Sequence, residues 1–128
     1  MMMRLLIIST LLIVGLIGAG FGVNTALTNN AEILTADFGY IEEAIKKDNW
    51  PAALDKITQV EESWSKNKNW WAIVIDHQEI DNIEFTFSRI KNYIKAKNTG
   101  LSLGELAVLR KTIELIPEKE AVNIRNIF

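Results

Sequence analysis

The sole histidine of this 128-residue chain, His77, lies in Asp76-His77-Gln78-Glu79-Ile80-Asp81, with Glu84 three residues beyond. An imidazole flanked by carboxylates has two chemical uses. It can ligate a divalent cation with them, or act as a base oriented by an acid. On a helix at ~100° per residue, with Ile73 at zero, Glu84 falls near 20°, His77 near 40° and Asp81 near 80°. These three share one edge of a helix. Asp76 falls at about −60°, inside the apolar stripe. Asp76, His77, Asp81 and Glu84 are therefore the candidate residues for a metal or small ligand.

The competing account is a helix whose acids and histidine cap, form ion pairs or bond to neighbouring backbone. A metal site normally draws ligands from a second element as well. One His and no Cys exclude thiolate and His-rich centres, disulfides and cysteine nucleophiles. There is no Gly-rich phosphate loop and no G-x-S-x-G nucleophile elbow. The expectation is no catalytic residue, no cofactor and no enzyme. Asp76 in an apolar stripe needs a charged partner, with Arg110 and Arg89 as candidates.

The stretch carrying these residues, Trp70 to Lys97, contains neither Pro nor Gly and is expected to form one helix. Ile73, Ile80, Phe87 and Ile94 recur every seventh residue, and Ile83 and Ile90 fill the adjoining positions, a core-facing stripe. Ahead of it the spacing predicts two helices. The first is capped at Thr28-Asn29-Asn30, with Asn29 and Glu32 at capping-box spacing, carries Leu34, Phe38, Ile41 and Ile45 on one face, and ends near Lys47. The second starts at Asp48-Asn49-Trp50-Pro51, buries Trp50, Ala53, Leu54, Ile57, Val60 and Trp64, and ends at Asn67-Lys68-Asn69. This pair resembles a tetratricopeptide helix hairpin through Ala44, Trp50 and Ala53, but no second copy at a fixed period is evident. Asn98-Thr99-Gly100 closes the third helix, with Gly100 as left-handed cap. Ser102-Leu103-Gly104-Glu105 is a capping box, stapled by Leu101 and Leu106, for a fourth helix that Pro117 stops. A short last helix follows. The fold class is all-α: an N-terminal transmembrane helix, then a small antiparallel bundle of about four helices with a short C-terminal helix.

Leu5 to Val23 is a charge-free run of 19 residues, ~28 Å as a helix, close to a bilayer's hydrocarbon thickness. It reads as a single-pass anchor, the alternative being a cleaved signal with a weak site at Gly18-Ala19-Gly20. Residues 1–4 are then cytoplasmic, 5–23 the anchor and 24–128 an extracytoplasmic helical domain, because Arg4 precedes the run and the next basic residue is Lys46. Gly18-x-x-x-Gly22 reads as glycine in an ordinary anchor rather than a dimerisation motif. After Val23 there are 13 basic and 16 acidic residues, a balance of 13 − 16 = −3, with no basic stripe, so nucleic acid is not expected as a partner. Trp50, Trp64, Trp70 and Trp71 read as core with one or two rings partly exposed, rather than an aromatic binding surface or a membrane-interface belt.

From Trp70 to Ile83 the chain reads W-x5-D-H-x-E-I-D-x-I, and near its end Ile116-Pro117-Glu118-Lys119-Glu120 and Asn126-Ile127-Phe128. In these segments, with an anchor and a Trp-rich hairpin before them, it resembles an uncharacterised family of small proteins, a domain of unknown function from spore-forming Gram-positive bacteria. The resemblance implies a membrane-associated helical protein and brings no catalytic residues with it. The function expected is a non-enzymatic accessory or interaction module at the outer face of the cell membrane, binding another membrane or envelope protein. The alternative is a metal- or small-ligand-binding domain using the Asp76, His77, Asp81 and Glu84 face.

Overall fold

In the computed structural model the chain is almost wholly helical. Residues 1–127 are described, apart from the side chains of Val23, Asn24 and residues 118–127. The helices are α1 (Met2–Thr35), α2 (Phe38–Lys46), α3 (Trp50–Val74), α4 (His77–Lys95) and α5 (Thr99–Ile127), and no strand occurs among the described residues. Only Ala36 and Asp37 separate α1 from α2, so the two make one leg. That leg packs against α3 and α5, and α4 packs against the same two helices. The result is the expected up-and-down bundle of four legs carrying a long apolar N-terminal helix.

Two corners at one end of the bundle are built alike. After α2, Asp48 takes a left-handed φ of 57°, its N–H donates to the Ile45 carbonyl and the Asn49 N–H to the Ala44 carbonyl. After α4, Lys97 has φ 55°, its N–H donates to Ile94 and that of Asn98 to Tyr93. Both are Schellman closures made without glycine. Each asparagine then caps the next helix: Asn49 Oδ1 accepts from the Ala52 N–H and Asn98 Oδ1 from the Leu101 N–H.

The likeness goes deeper than the corners. Leu34 and Ile83, Phe38 and Phe87, Ile41 and Ile90, Ile45 and Ile94, Ala53 and Ser102, Val60 and Leu109 are all buried, and each pair is 49 residues apart. The α2–α3 and α4–α5 hairpins therefore fill the core from matching positions. This period was not evident in the sequence, because outside the core the two hairpins share few residue types.

Several boundaries differ from expectation. Thr28-Asn29-Asn30 starts no helix, because Leu27, Ala31 and Leu34 form an unbroken buried stripe and the Asn30 amide donates back to the Ala26 carbonyl. The helix expected to end at Asn67-Lys68-Asn69 runs on to Val74, since Trp64 and Trp71 pack together in the core, tilted at 56° with 5.6 Å between ring centroids. Ser102 is no cap. The start of α5 lies at Asn98, and Ser102 is wholly buried at the position matching Ala53. The left-handed residue is Lys97 rather than Gly100. Pro117 does not stop α5. A proline inside a helix costs about 3 kcal/mol, and burial of Ile113, Ile116 and Pro117 beside α1 offsets it.

Candidate functional site

The start of α4 decides what the acidic cluster can do. The Trp70–Lys97 stretch is not one helix. Ile75 and Asp76 are extended, with ψ of 163° and 142°, and α4 begins at His77. The chain has to reverse here for α4 to lie against α3, and Ile75 folds inward to 8% exposure as it does so. The sequence did carry a signal for this. Asp76 and Glu79 stand at capping-box spacing, and Asp76 is indeed the N-cap residue, though its side chain makes no capping hydrogen bond.

The break moves the expected site residues. Asp76 is exposed rather than set in the apolar stripe, and Ile73, taken as the stripe's first member, is 81% exposed. From Ile80 onward the stripe is as expected, with Ile80, Ile83, Phe87, Ile90 and Ile94 buried. His77 and Asp81 lie exposed on α4. Glu84 is half-buried and binds Lys68 of α3 at 3.2 Å. No group of three or more His, Cys, Asp or Glu is placed to hold a metal ion among the described residues. Neither proposed partner serves Asp76. The Arg89 Nε–H donates to Glu105 and its Nη2 to Thr86 Oγ1, each at 3.1 Å. The Arg110 guanidinium lies over the Phe38 ring, 5.8 Å from its centroid.

Between α4 and α5 runs an open cleft of about 430 Å³, lined by Glu79, Asn82, Thr86, Arg89, Lys111 and Thr112 among others. Its one buried hydroxyl, on Thr86, donates to the Asn82 carbonyl and accepts from Arg89. The cleft can hold small polar groups by hydrogen bonds, but its lining contains no His or Cys to serve as base or nucleophile.

Among the described residues, four of the five ion pairs tie one helical leg to another. Lys91 of α4 meets Glu61 of α3 at 2.6 Å, and Lys56 of α3 lies 3.9 Å from Asp37. Within α2, the hydrogen bond and charge of Lys46, 2.9 Å away, hold the Glu42 carboxyl below its ordinary value, and Glu42 in turn raises Lys46. Trp64 and Trp71 are buried, while Trp50 and Trp70 pack against the core part-exposed.

The largest uncovered surface is on α1. Leu5, Leu6, Ile7, Ile8, Leu11, Leu12, Ile13, Val14, Leu16 and Phe21 are each more than half exposed. This is the one helix among the described residues long and apolar enough to cross a membrane. It enters the bundle without a linker, and Leu27, one turn past Val23, is wholly buried.

Residues 21–127 match a domain of unknown function, DUF4363. The chain belongs to this family. No curated protein and no solved structure matches it. The DUF4363 match starts at Phe21, so it takes in the last three residues of the apolar run together with every leg of the bundle. The family's unit is the bundle with its join to α1.

Proposed function

We propose that this protein is a non-enzymatic module, anchored in the cell membrane by α1, whose bundle faces the extracytoplasmic side and binds another membrane or envelope protein. The observation that carries this is the unbroken passage from the exposed apolar turns of α1 to the buried Leu27. An apolar surface of that length is stable only in lipid or against protein. Its continuity with the core favours a permanent anchor over a cleaved signal, since cleavage at Gly18-Ala19-Gly20 would cut within α1. Arg4 before the span, with no basic residue after it until Lys46, favours a cytoplasmic N-terminus, leaving residues 24–128 outside. With four of its five described ion pairs joining one helical leg to another, the bundle is suited to presenting a surface. The resemblance to proteins of spore-forming Gram-positive bacteria favours a surface presented at a single-membrane cell envelope.

The test uses the intact chain in its native membrane. Single cysteines at Met3 and Ser65 are probed with a membrane-impermeant thiol reagent, and the membranes are then cross-linked. The expected result is retention of the chain in alkali-washed membranes, labelling at Ser65 only, and one discrete cross-linked adduct. Recovery of a shortened soluble chain overturns the anchor. Labelling at Met3 alone overturns the orientation, and a chain that cross-links to nothing overturns the partner.

A further inference from the structure

Ile73 is the most exposed large hydrophobic residue of the bundle among those described, at 81%, above every large apolar residue described in α1. It belongs to a charge-free run, Asn69-Trp70-Trp71-Ala72-Ile73-Val74-Ile75, bounded by Lys68 and Asp76. An exposed isoleucine beside a part-exposed tryptophan, with no charge between, is the composition of a membrane-interface contact.

Its position along the bundle agrees. The α1–α2 leg and α3 meet at the corner around Asn49. Leu27 and Trp71 are each 22 residues from it (49 − 27 and 71 − 49), and both are 0% exposed. They mark one level of the core. Ile73 lies two residues beyond Trp71, level with Thr25, and Val23, where the apolar run ends, is two residues further. At ~1.5 Å per residue, Ile73 stands about 3 Å from the end of the span. The polar interface of a bilayer is roughly 5–7 Å deep on each side. The backbone turn explains why this side chain points outward. Ile75 is drawn into the core as the chain becomes extended, and Ile73 is left on the outer side of the α3–α4 corner.

We infer that the α3–α4 corner rests in the interfacial layer of the same bilayer that α1 crosses, with Ile73 inserted and Trp70 beside it. This rests on the membrane reading of α1. The ring of Trp70 is fixed edge-on against Trp71, 6.1 Å between centroids at 86°, so the contact is held rigidly by the core. Among the described side chains the bundle then meets the membrane at the end of α1 and at this corner, and the corners at Asp48 and Lys97 are presented away from it.

The chain has no cysteine, so single labels are clean. Full-length protein in lipid nanodiscs carries an environment-sensitive fluorophore at Ile73→Cys, at Leu11→Cys within the anchor, or at Ser65→Cys higher on α3, with spin-labelled lipid as quencher. The expected result is blue-shifted, strongly quenched emission at positions 11 and 73 and water-like, unquenched emission at 65. Quenching at 11 but not at 73 overturns the inference while the anchor stands. Quenching at none of the three removes the membrane reading along with it. A disulfide-linked dimer through unlabelled Ile73→Cys, with the labelled residue unquenched, identifies a second copy of the chain as the occupant and also overturns it.

Discussion

Ser102→Ala should stabilise the protein. Ser102 is 0% exposed and its hydroxyl has no hydrogen-bond partner. An unsatisfied buried hydroxyl costs about 1–3 kcal/mol. Alanine keeps the Cβ and deletes only the oxygen. The oxygen-sized void, roughly 10–15 Å³, costs about 0.3 kcal/mol at ~24 cal/mol per Å³. Alanine also outranks serine in helix propensity by a few tenths of a kcal/mol, about 0.5. The net gain is about 1–3 kcal/mol. For a domain of this size each kcal/mol moves Tm by roughly 4–8 °C. The matching position in the other hairpin supplies an internal control, because Ala53 is also 0% exposed. Ala53→Ser should lower Tm by a similar amount. Both are read by far-ultraviolet circular dichroism melts of the full chain in one detergent. A lower Tm for Ser102→Ala would mean that the hydroxyl has a partner inside the bundle and that the two sites are not equivalent.

Asp76→Ala should change stability by less than about 0.5 kcal/mol, as for other surface positions, since Asp76 is exposed and makes no capping bond; a larger drop in urea denaturation would restore a structural role. Millimolar Zn²⁺, Mn²⁺ or Ca²⁺ should leave the melt unchanged, whereas a cation at 100 times its Kd would add about 2.7 kcal/mol. A double-mutant cycle on Glu61 and Lys91, each 28% exposed, should give a coupling of about 0.5–1 kcal/mol. Coupling indistinguishable from zero would mean the pair is not formed in solution. Glu42 is held low by Lys46, so its contribution is present above the unfolded-state value and lost as pH falls through the lower folded one. The Tm difference between the parent and Glu42→Gln should therefore be full at neutral pH and close in acid, and a difference that widens in acid would reverse the sign of the shift.

Much of the fold is legible wherever core periodicity and local chemistry agree. Asn49 with Pro51 marks the α2–α3 corner, and the Ile80–Ile94 stripe marks the inner face of α4. Failures occur where tertiary packing overrules a local signal. Ser102 to Glu105 has capping-box form, yet the site is inside α5 because the Lys97 turn and Asn98 already close the corner. Pro117 reads as a stop, yet the buried residues around it keep the helix going. The candidate site misled for one reason. The heptad counted from Ile73 passes through Ile75–Asp76 without a break in spacing, so composition alone gives a straight helix and an Asp in its stripe. What ends α3 is the extended backbone at Ile75 and Asp76, which turns α4 back against it.

The matched hairpins also show why the bundle pairs as it does. Under the 49-residue correspondence, Lys91 answers to Glu42 and Glu61 to Arg110. The α3–α4 interface joins Glu61 to Lys91 at 2.6 Å, and across the α2–α5 interface the Arg110 charge adds weakly to the lowering of Glu42, which comes chiefly from Lys46. The same two places carry opposite charges with their order reversed. Two copies of the first hairpin would set Glu61 against Glu42, and two of the second would set Lys91 against Arg110. Like charges so placed are repulsive, and only the mixed pair matches. Lys56 over the Tyr40 ring at 5.4 Å corresponds in the same way to Glu105 on Arg89. The core positions that recur make the hairpins geometrically alike, and the charges that do not recur disfavour the exchange. The charged helix seams of this small bundle therefore add to its pairing specificity.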